Sequence, residues 1–573
     1  MVRQQGWVVG EARIGKQRKD HHMAGIMQEL AKSNQHWSSG GVRRDLLGDT
    51  PRREFSRILD SLGGDKAVAL AGPRRSGKTT LMFQTIDYLL WAGMEPKHIL
   101  YISGGDPGLS AACAASPGSA IRAYEAGVLG ERAGESGQPT FIFIDELHNL
   151  KGWREWLGGA VADAAAAAPA THYIVSLPSH GMLQTPLRQG GAPALSAGAM
   201  ECIPVAPLAF SEFAKLCATR AQATSGPASP DAGLDAAKAA ELAMPALLGA
   251  LGKLPQGHAF DGPVEYAMEL AELKAELGEA APAIERLSRE YLLAGGYLGY
   301  FKARSLPQWQ TRLIDDIVLG SLYRDIVSGH TVKFAPTLER LMCFIAENDG
   351  RRQSYQTLAS GLGVDFTTIS SYLGYLSDAY LITILESYPA NVGKANRKNK
   401  RLHLADSGVA SALLHDGGSW SPAYAASLIR LRCVEAARGY AEARGLRYGY
   451  WRAPGRAVEQ RGENQGSLPP GGDADASSSA TAYLPDVSAV VDKAQGALPI
   501  DISASGIGAS GGATSGGATS GEAMFGGAEP DLRGVEAFME EFACDEALVA
   551  TDGWLEVRRC GAGKVACVPF WLI

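Results

Sequence analysis

Lys66-Ala-Val-Ala-Leu-Ala-Gly72-Pro-Arg-Arg-Ser-Gly77-Lys78-Thr79-Thr80 divides into three parts. Residues 66–71 form a short, nearly continuous apolar run, the pattern of a strand buried on both faces. Gly72-Pro73-Arg74-Arg75-Ser76-Gly77-Lys78-Thr79 fits G-x-x-x-x-G-K-[ST]. Leu81, Ile86, Leu89 and Leu90 then follow at helical spacing. Strand, glycine loop and helix in this order make a phosphate cradle. Gly72 and Gly77 allow backbone conformations that a Cβ would block. The helix start aims free N–H groups and the positive end of its dipole at the same phosphates. Lys78 is expected to reach the β- and γ-phosphates and the Thr79 hydroxyl to ligate Mg²⁺, with residues 72–80, Thr80 included, lining the nucleotide. The plainer alternative is a glycine-rich turn before an ordinary helix, and the two matching flanks argue against it. The expected ligands are ATP and Mg²⁺.

A carboxylate partner is expected at the end of a neighbouring strand. Thr140-Phe-Ile-Phe-Ile-Asp145-Glu146 supplies apolar residues and then two acids. Asp145 would hold the metal and Glu146 would polarise the attacking water. A hydrophobic run ending in Asp-Glu is by itself only a capped strand end. Its position after the loop, with a βαβ pattern between, turns it into a catalytic expectation. His98–Ser103 and Thr171–Ser176 read as two further buried strands. The second would bring Ser176 or Ser179 near the γ-phosphate as a sensor, or simply end a core strand.

At 573 residues the chain is too long for one core and is expected to form about three or four domains. An apolar share of 46% and a charged share of 20% fit an ordinary globular protein. The net charge of −7 argues against coating nucleic acid over the whole surface, though not against a local basic patch. No uncharged apolar stretch of about 18 residues is present, so no membrane partner is expected and the expected location is the cytoplasm. Residues 1–49 lack the apolar region of a secretory signal and read as a flexible segment, with Met23 a candidate later start. The eight cysteines form no C-x-x-C pair and no zinc spacing.

Taken in order, several features resemble a prokaryotic AAA-type ATPase family whose C-terminal domain has no defined function. They are the 72–80 loop, Ile102-Ser-Gly-Gly-Asp-Pro107, Phe143-Ile-Asp-Glu-Leu-His-Asn-Leu150 with Trp153, and Val205-Ala-Pro-Leu-Ala-Phe-Ser-Glu-Phe213. Tyr291-Leu-Leu-Ala-Gly-Gly-Tyr297, Leu322-Tyr-Arg-Asp-Ile-Val327, Leu402-His-Leu-Ala-Asp-Ser-Gly408 and Tyr450-Trp-Arg452 complete the series. The resemblance implies an α/β fold: an AAA-like P-loop NTPase domain with a parallel sheet, a helical lid, a winged-helix module and a degenerate restriction-endonuclease-like C-terminal domain. The family usually has Gly-Ser-Ser after the sensor strand, where this chain has Ser176-Leu-Pro-Ser179. An arginine before the next strand is replaced by Gly198-Ala-Met200, with Arg188 a nearby substitute. If that arginine stabilises transition-state charge, turnover here is slow or needs a partner.

The expected boundaries are 50–220 for the ATPase domain, 221–258 for an Ala/Gly/Pro-rich flexible insertion and 259–332 for the lid. Residues 333–405 are expected to be the winged helix and 406–573 the nuclease-like domain. Within 333–405, Ser354–Gly363 and Asp365–Leu376 have helix-turn-helix spacing, and Leu381–Leu385 reads as a wing strand. The second helix offers Thr367, Thr368, Ser370 and Ser371 but no cation. Phosphate contacts would come from Lys394-Ala-Asn-Arg-Lys-Asn-Lys-Arg401, making duplex DNA one expected partner and a docked protein the other. In the last domain Glu435, Asp486 and Asp501 stand where a nuclease keeps its carboxylates, and Asp486 and Asp501 retain the means to bind metal. Ser503 replaces the lysine, so an inactive binding domain is expected. Residues 453–482 and 504–528 are low-complexity insertions expected to be disordered. The oligomeric state is not encoded in any pattern. The leading functional expectation is an ATPase whose nucleotide state repositions these modules, the alternative a slow nucleotide-gated DNA- or protein-binding switch.

Overall fold

The computed structural model describes residues 23–48, 50–64, 66–113, 116–135, 137–166, 171–179, 182, 200–223, 243–254, 259–327, 332–388, 399–414, 422–452, 486–493, 496–502, 532–551 and 555–573. Arg188, Gly198, Ala199, Lys394, Arg397, Lys398, Ser503 and both low-complexity stretches lie outside the described residues. The chain divides into two compact units, Met1–Ala206 and Pro207–Ile573.

The first unit is built on a five-stranded parallel sheet of order β2-β3-β4-β1-β5. Its strands are β1 (Ala67–Ala71), β2 (Ile99–Ser103), β3 (Thr140–Asp145), β4 (Thr171–Leu177) and β5 (Met200–Pro204). Every residue of β1 and β3 is buried, which is why these strands carry apolar runs rather than alternation. Their side chains still sort by the period of two into two cores. Val68, Leu70, Phe141 and Phe143 pack with Leu81, Ile86 and Leu89 of the Lys78–Trp91 helix. Ala67, Ala69, Ile142 and Ile144 pack with Ile26, Leu30, Ile121 and Leu157 on the other face.

Within the 1–49 segment expected to be flexible, residues 23–33 instead form a helix that seats Ile26 and Leu30 against the sheet, while residues 1–22 lie outside the described residues. The same segment closes the open edge at β2. Asn34 Nδ2 donates to the Tyr101 carbonyl at 2.7 Å, and the Tyr101 N–H donates to Asn34 Oδ1 at 2.7 Å. Trp37 Nε1 donates to the Ile99 carbonyl at 2.8 Å. Side chains thus replace the missing neighbouring strand, one of the ways an edge is kept from pairing with another chain.

In the second unit, helices pack around one large core. Met244–Gly252 is one of them, with Leu247 and Ala250 fully buried, so part of the stretch expected as a flexible insertion is structural. Ser354 caps the Tyr355–Leu362 helix through the Thr357 N–H at 3.0 Å. Gly363 ends that helix at φ 68°, and Asp365 caps the Phe366–Asp378 helix through the Thr368 N–H at 2.7 Å. A three-stranded sheet of order β6-β8-β7 accompanies this pair, with β6 (Arg352–Gln353), β7 (Ile382–Leu385) and β8 (Lys400–Leu404). Lys400 and Arg401, the described cations of the expected phosphate-contacting run, point inward. Lys400 pairs with Glu386 and is buried, and Arg401 lies 4.7 Å over the Tyr450 ring.

The remaining sheet has six strands in the order β13-β14-β12-β11-β10-β9. They are β9 (Tyr448–Arg452), β10 (Asp486–Lys493), β11 (Gly496–Ile502), β12 (Glu546–Thr551), β13 (Glu556–Cys560) and β14 (Gly563–Pro569). The helix Pro422–Arg444 precedes β9, and the helix Arg533–Phe542 links β11 to its parallel neighbour β12. Among the described residues no helix is long and apolar enough to cross a membrane.

Candidate functional site

The C-terminal ends of β1, β3, β4 and β5 converge through their register. Ala71 pairs with Leu177 and with Pro204, and Ile144 pairs with Val175. The loop leaving β1 and the acids leaving β3 are therefore brought to the same edge, where an open parallel sheet binds its ligands.

The loop has the tightness that its glycines imply. A Cβ on Gly72 would lie 2.1 Å from the Val205 carbonyl oxygen, so no other residue fits there. Gly77 sits at φ 101° as the residue that opens the Lys78–Trp91 helix. Arg75 also has a positive φ, 60°, and is exposed, whereas Pro73 and Ser76 are buried. Lys78 is buried and donates from Nζ to the carbonyls of Gly72 at 2.8 Å and Pro73 at 2.7 Å. Its ammonium therefore curls over the loop. The buried Ser76 Oγ has no hydrogen-bond partner among the described residues. Thr80 is half-buried on the helix that the loop feeds.

Thr79 Oγ1 donates to Asp145 Oδ2 at 2.6 Å, joining the loop to the end of β3. Tyr101 Oη donates to the same carboxylate oxygen at 3.0 Å, and Ser176 Oγ donates to Asp145 Oδ1. Burial, reinforced by the Asp145 carboxylate, pushes the Tyr101 phenol well above its ordinary range and keeps it a donor. Asp145 is thus oriented from β2, β4 and the loop at once. A hydroxyl and a carboxylate in contact are hard oxygen donors of the kind Mg²⁺ accepts. Magnesium commonly takes one or two protein ligands and completes its shell with water and phosphate, so the pair fits that ion. Among the described residues no group of three or more His, Cys, Asp or Glu could hold a metal by itself.

Glu146 adopts φ 48° and ψ 45°, an uncommon conformation for a side-chain-bearing residue. Its N–H donates to Ser176 Oγ at 2.8 Å, so one serine ties both acids together. Asn149 Nδ2 donates to Glu146 Oε2 at 2.9 Å, and Arg74 lies 3.9 Å from Oε1. The Gly104-Gly105 pair makes room for this turn. A Cβ on Gly104 would stand 2.4 Å from the Glu146 carbonyl oxygen, and one on Gly105 would stand 2.5 Å from Oε2. Ser179 is buried just beyond β4.

Sequence reasoning missed Tyr101, Asn149 and the glycine pair as site residues. Tyr101 had a usable signal, a polar tip inside an otherwise apolar strand, but its pairing with Asp145 depends on strand order. Arg52 was missed as well. It is buried, donates to the carbonyls of Ser76 and Ala206, and lies 3.4 Å from Glu54.

Two of the acids expected as nuclease carboxylates, Glu435 and Asp501, are engaged by neighbouring side chains. Glu435 accepts from Thr383 Oγ1 and from Arg438 at 2.7 Å, while Ser488 Oγ donates to Asp501 at 2.8 Å. Asp486 opens β10 opposite Arg452.

Residues 64–214 match the family described as AAA domain, and residues 285–419 match a domain of unknown function, DUF8612. Uncharacterized proteins of Mycobacterium tuberculosis and Mycobacterium bovis are each 31% identical over 125 residues, covering 21% of this chain. The match spans 27% of the length of each of these relatives. Among solved structures, a Walker-type ATPase of Pyrococcus abyssi is 14% identical with a TM-score of 0.36, covering 65% of this chain and 98% of that one. The ORC1 protein of Aeropyrum pernix, solved in complex with DNA, is 14% identical with a TM-score of 0.30, covering 65% and 95%.

Proposed function

Starting from an AAA-type P-loop ATPase domain over residues 64–214, we propose that the chain hydrolyses ATP in a Mg²⁺-dependent reaction. The observation that carries this reading is the 2.6 Å contact between Thr79 and Asp145, which unites the loop with the acidic strand end. The backbone N–H groups of residues 72–80 and the Lys78 ammonium hold the phosphates of the substrate. Lys78 moves from the loop carbonyls to phosphate oxygens, exchanging one set of acceptors for a more strongly charged one. Thr79 and Asp145 would hold magnesium, which when bound would supply charge neutralisation on the phosphoryl group. Glu146 accepts a proton from the attacking water, and Ser176 keeps it in step with Asp145 through their shared hydrogen bonds.

The second unit carries the output. The capped helix pair with its antiparallel strands supports a winged-helix reading, and the exposed Thr367, Ser370 and Ser371 are its contact face. Among the described residues that face offers hydroxyls, Lys400 and Arg401 being turned inward, which favours a protein partner over duplex DNA. The order of helix, three antiparallel strands, helix and parallel strand supports a restriction-endonuclease-like domain. Its described acids Glu435 and Asp501 are occupied, which favours binding over cleavage. The helices over residues 259–327 are read as the lid.

Phosphate release by the purified chain tests the reading. Lys78→Ala abolishes nucleotide binding, while Glu146→Gln retains binding and lowers turnover by about 10²–10⁴-fold. Undiminished turnover in the Glu146 variant would remove it as the base. Tight ATP binding by the native chain with no phosphate release, DNA present or absent, would instead establish the slow switch.

A further inference from the structure

We propose that Arg52 is a positioning residue that sets the phosphate loop before any nucleotide arrives, an inference resting on the nucleotide-binding reading above. Arg52 precedes the Glu54–Ser61 helix and has 3% of its side chain exposed, so it is a guanidinium placed inside the protein. One arm donates to the Ser76 carbonyl and the other to the Ala206 carbonyl at 2.8 Å, with Glu54 3.4 Å away. Two carbonyls and a carboxylate make this an enclosed, charge-assisted arrangement, and a planar fork suits it where a single ammonium does not.

The consequence lies in the peptide joining Ser76 to Gly77. The two groups of a trans peptide point in opposite directions, so holding the Ser76 carbonyl against Arg52 turns the Gly77 N–H away from Arg52. Gly77, at φ 101°, could otherwise rotate through many conformations, since glycine pays little for any of them. Arg52 removes that freedom from the peptide at the N-cap of the helix, one of those that on the nucleotide-binding reading hold the phosphates. It also ties the loop to the segment after β5, which already touches it where Gly72 meets Val205. Arg52 acts on the nucleotide through the backbone and does not touch it.

The test uses the full chain, titrated with ATP, ADP and adenosine in the presence of Mg²⁺. Arg52→Lys keeps the charge beside Glu54 but not the fork, and Arg52→Met with Glu54→Gln leaves no buried carboxylate unpaired. Both variants are expected to weaken ADP and ATP equally, by about tenfold to hundredfold, the loss of one charge-assisted hydrogen bond. Adenosine affinity stays unchanged, and the defect appears in KM while kcat at saturating ATP falls less than about threefold. Wild-type ADP affinity in a folded variant overturns the proposal, as does an equal loss for adenosine, which would mark a general structural role. Failure of both variants to fold would make Arg52 a folding residue and overturn it too. Lys78→Ala run in parallel separates the two claims: if it binds ADP as the native chain does, the nucleotide reading itself falls.

Discussion

Replacing Asn34 by alanine should open the edge of the sheet next to the site. Asn34 is 1% exposed, and its amide serves both polar groups of Tyr101 at 2.7 Å each. Truncation leaves one N–H and one C=O of β2 without partners in a buried setting. An orphaned buried group costs about 1–3 kcal/mol, so the pair amounts to about 2–6 kcal/mol of local stability. The bond from Asn34 to the Leu30 carbonyl is within a helical turn and adds little. Opening of β2 would become easier by about 30-fold or more. Hydrogen–deuterium exchange of a peptide spanning residues 97–103 in the full chain reads this directly. Asn34→Asp should be worse at neutral pH, because a carboxylate would face two carbonyl oxygens. Burial raises that acid's pKa in the folded state, so its penalty grows as pH climbs above about 4. Exchange in Asn34→Ala accelerated by less than about threefold would refute the claim that this side chain acts as the missing strand.

Gly105→Ala should lower ATP turnover while leaving nucleotide affinity intact, because its Cβ displaces the Glu146 carboxylate. Gly104→Ala should destabilise the first unit outright, its clash being with backbone; phosphate release and thermal melts separate the two. Burial lowers the pKa of both His36 and His172 below the ordinary 6.5, so the unfolded chain binds more protons just below that pH. Stability of the first unit is therefore complete above about pH 6.5 and declines as pH falls below it. Calorimetry across that range should show a flatter slope in a His36→Gln, His172→Phe variant, and an unchanged slope would count against both. In the second unit, Arg438→Met strands the buried Glu435 carboxylate and should cost about 3–5 kcal/mol in urea unfolding, part of it recovered when Glu435 is also made Met.

The loop from Gly72 to Thr80 was legible because its chemistry is local. A cradle of amides, a lysine and a hydroxyl lie within nine consecutive residues, and both flanks announce their secondary structure by period and composition. Asp145 and Glu146 were legible as a strand end. That Asp145 meets Thr79 follows only from β3, β4 and β1 lying side by side, since strand order is a long-range property that no window of sequence contains. Tyr101, Ser176 and Arg52 reach the site across sequence separations of 44, 31 and 24 residues, and their partners are carboxylates or carbonyls that any sequence offers in abundance. Polarity misled in two places. Residues 23–33 were read as part of a polar tail because of the charged residues on either side of them, yet Ile26 and Leu30 seat one helical face against the sheet. Lys400 and Arg401 read as part of a phosphate-contacting basic run, but β8 has partners on both sides, and burial followed from an acid and an aromatic ring placed there by the fold. Sequence determined which groups exist and which backbone shapes they permit; tertiary structure decided which of them meet, because hydrogen bonds and ion pairs act over a few ångströms and only folding sets those distances.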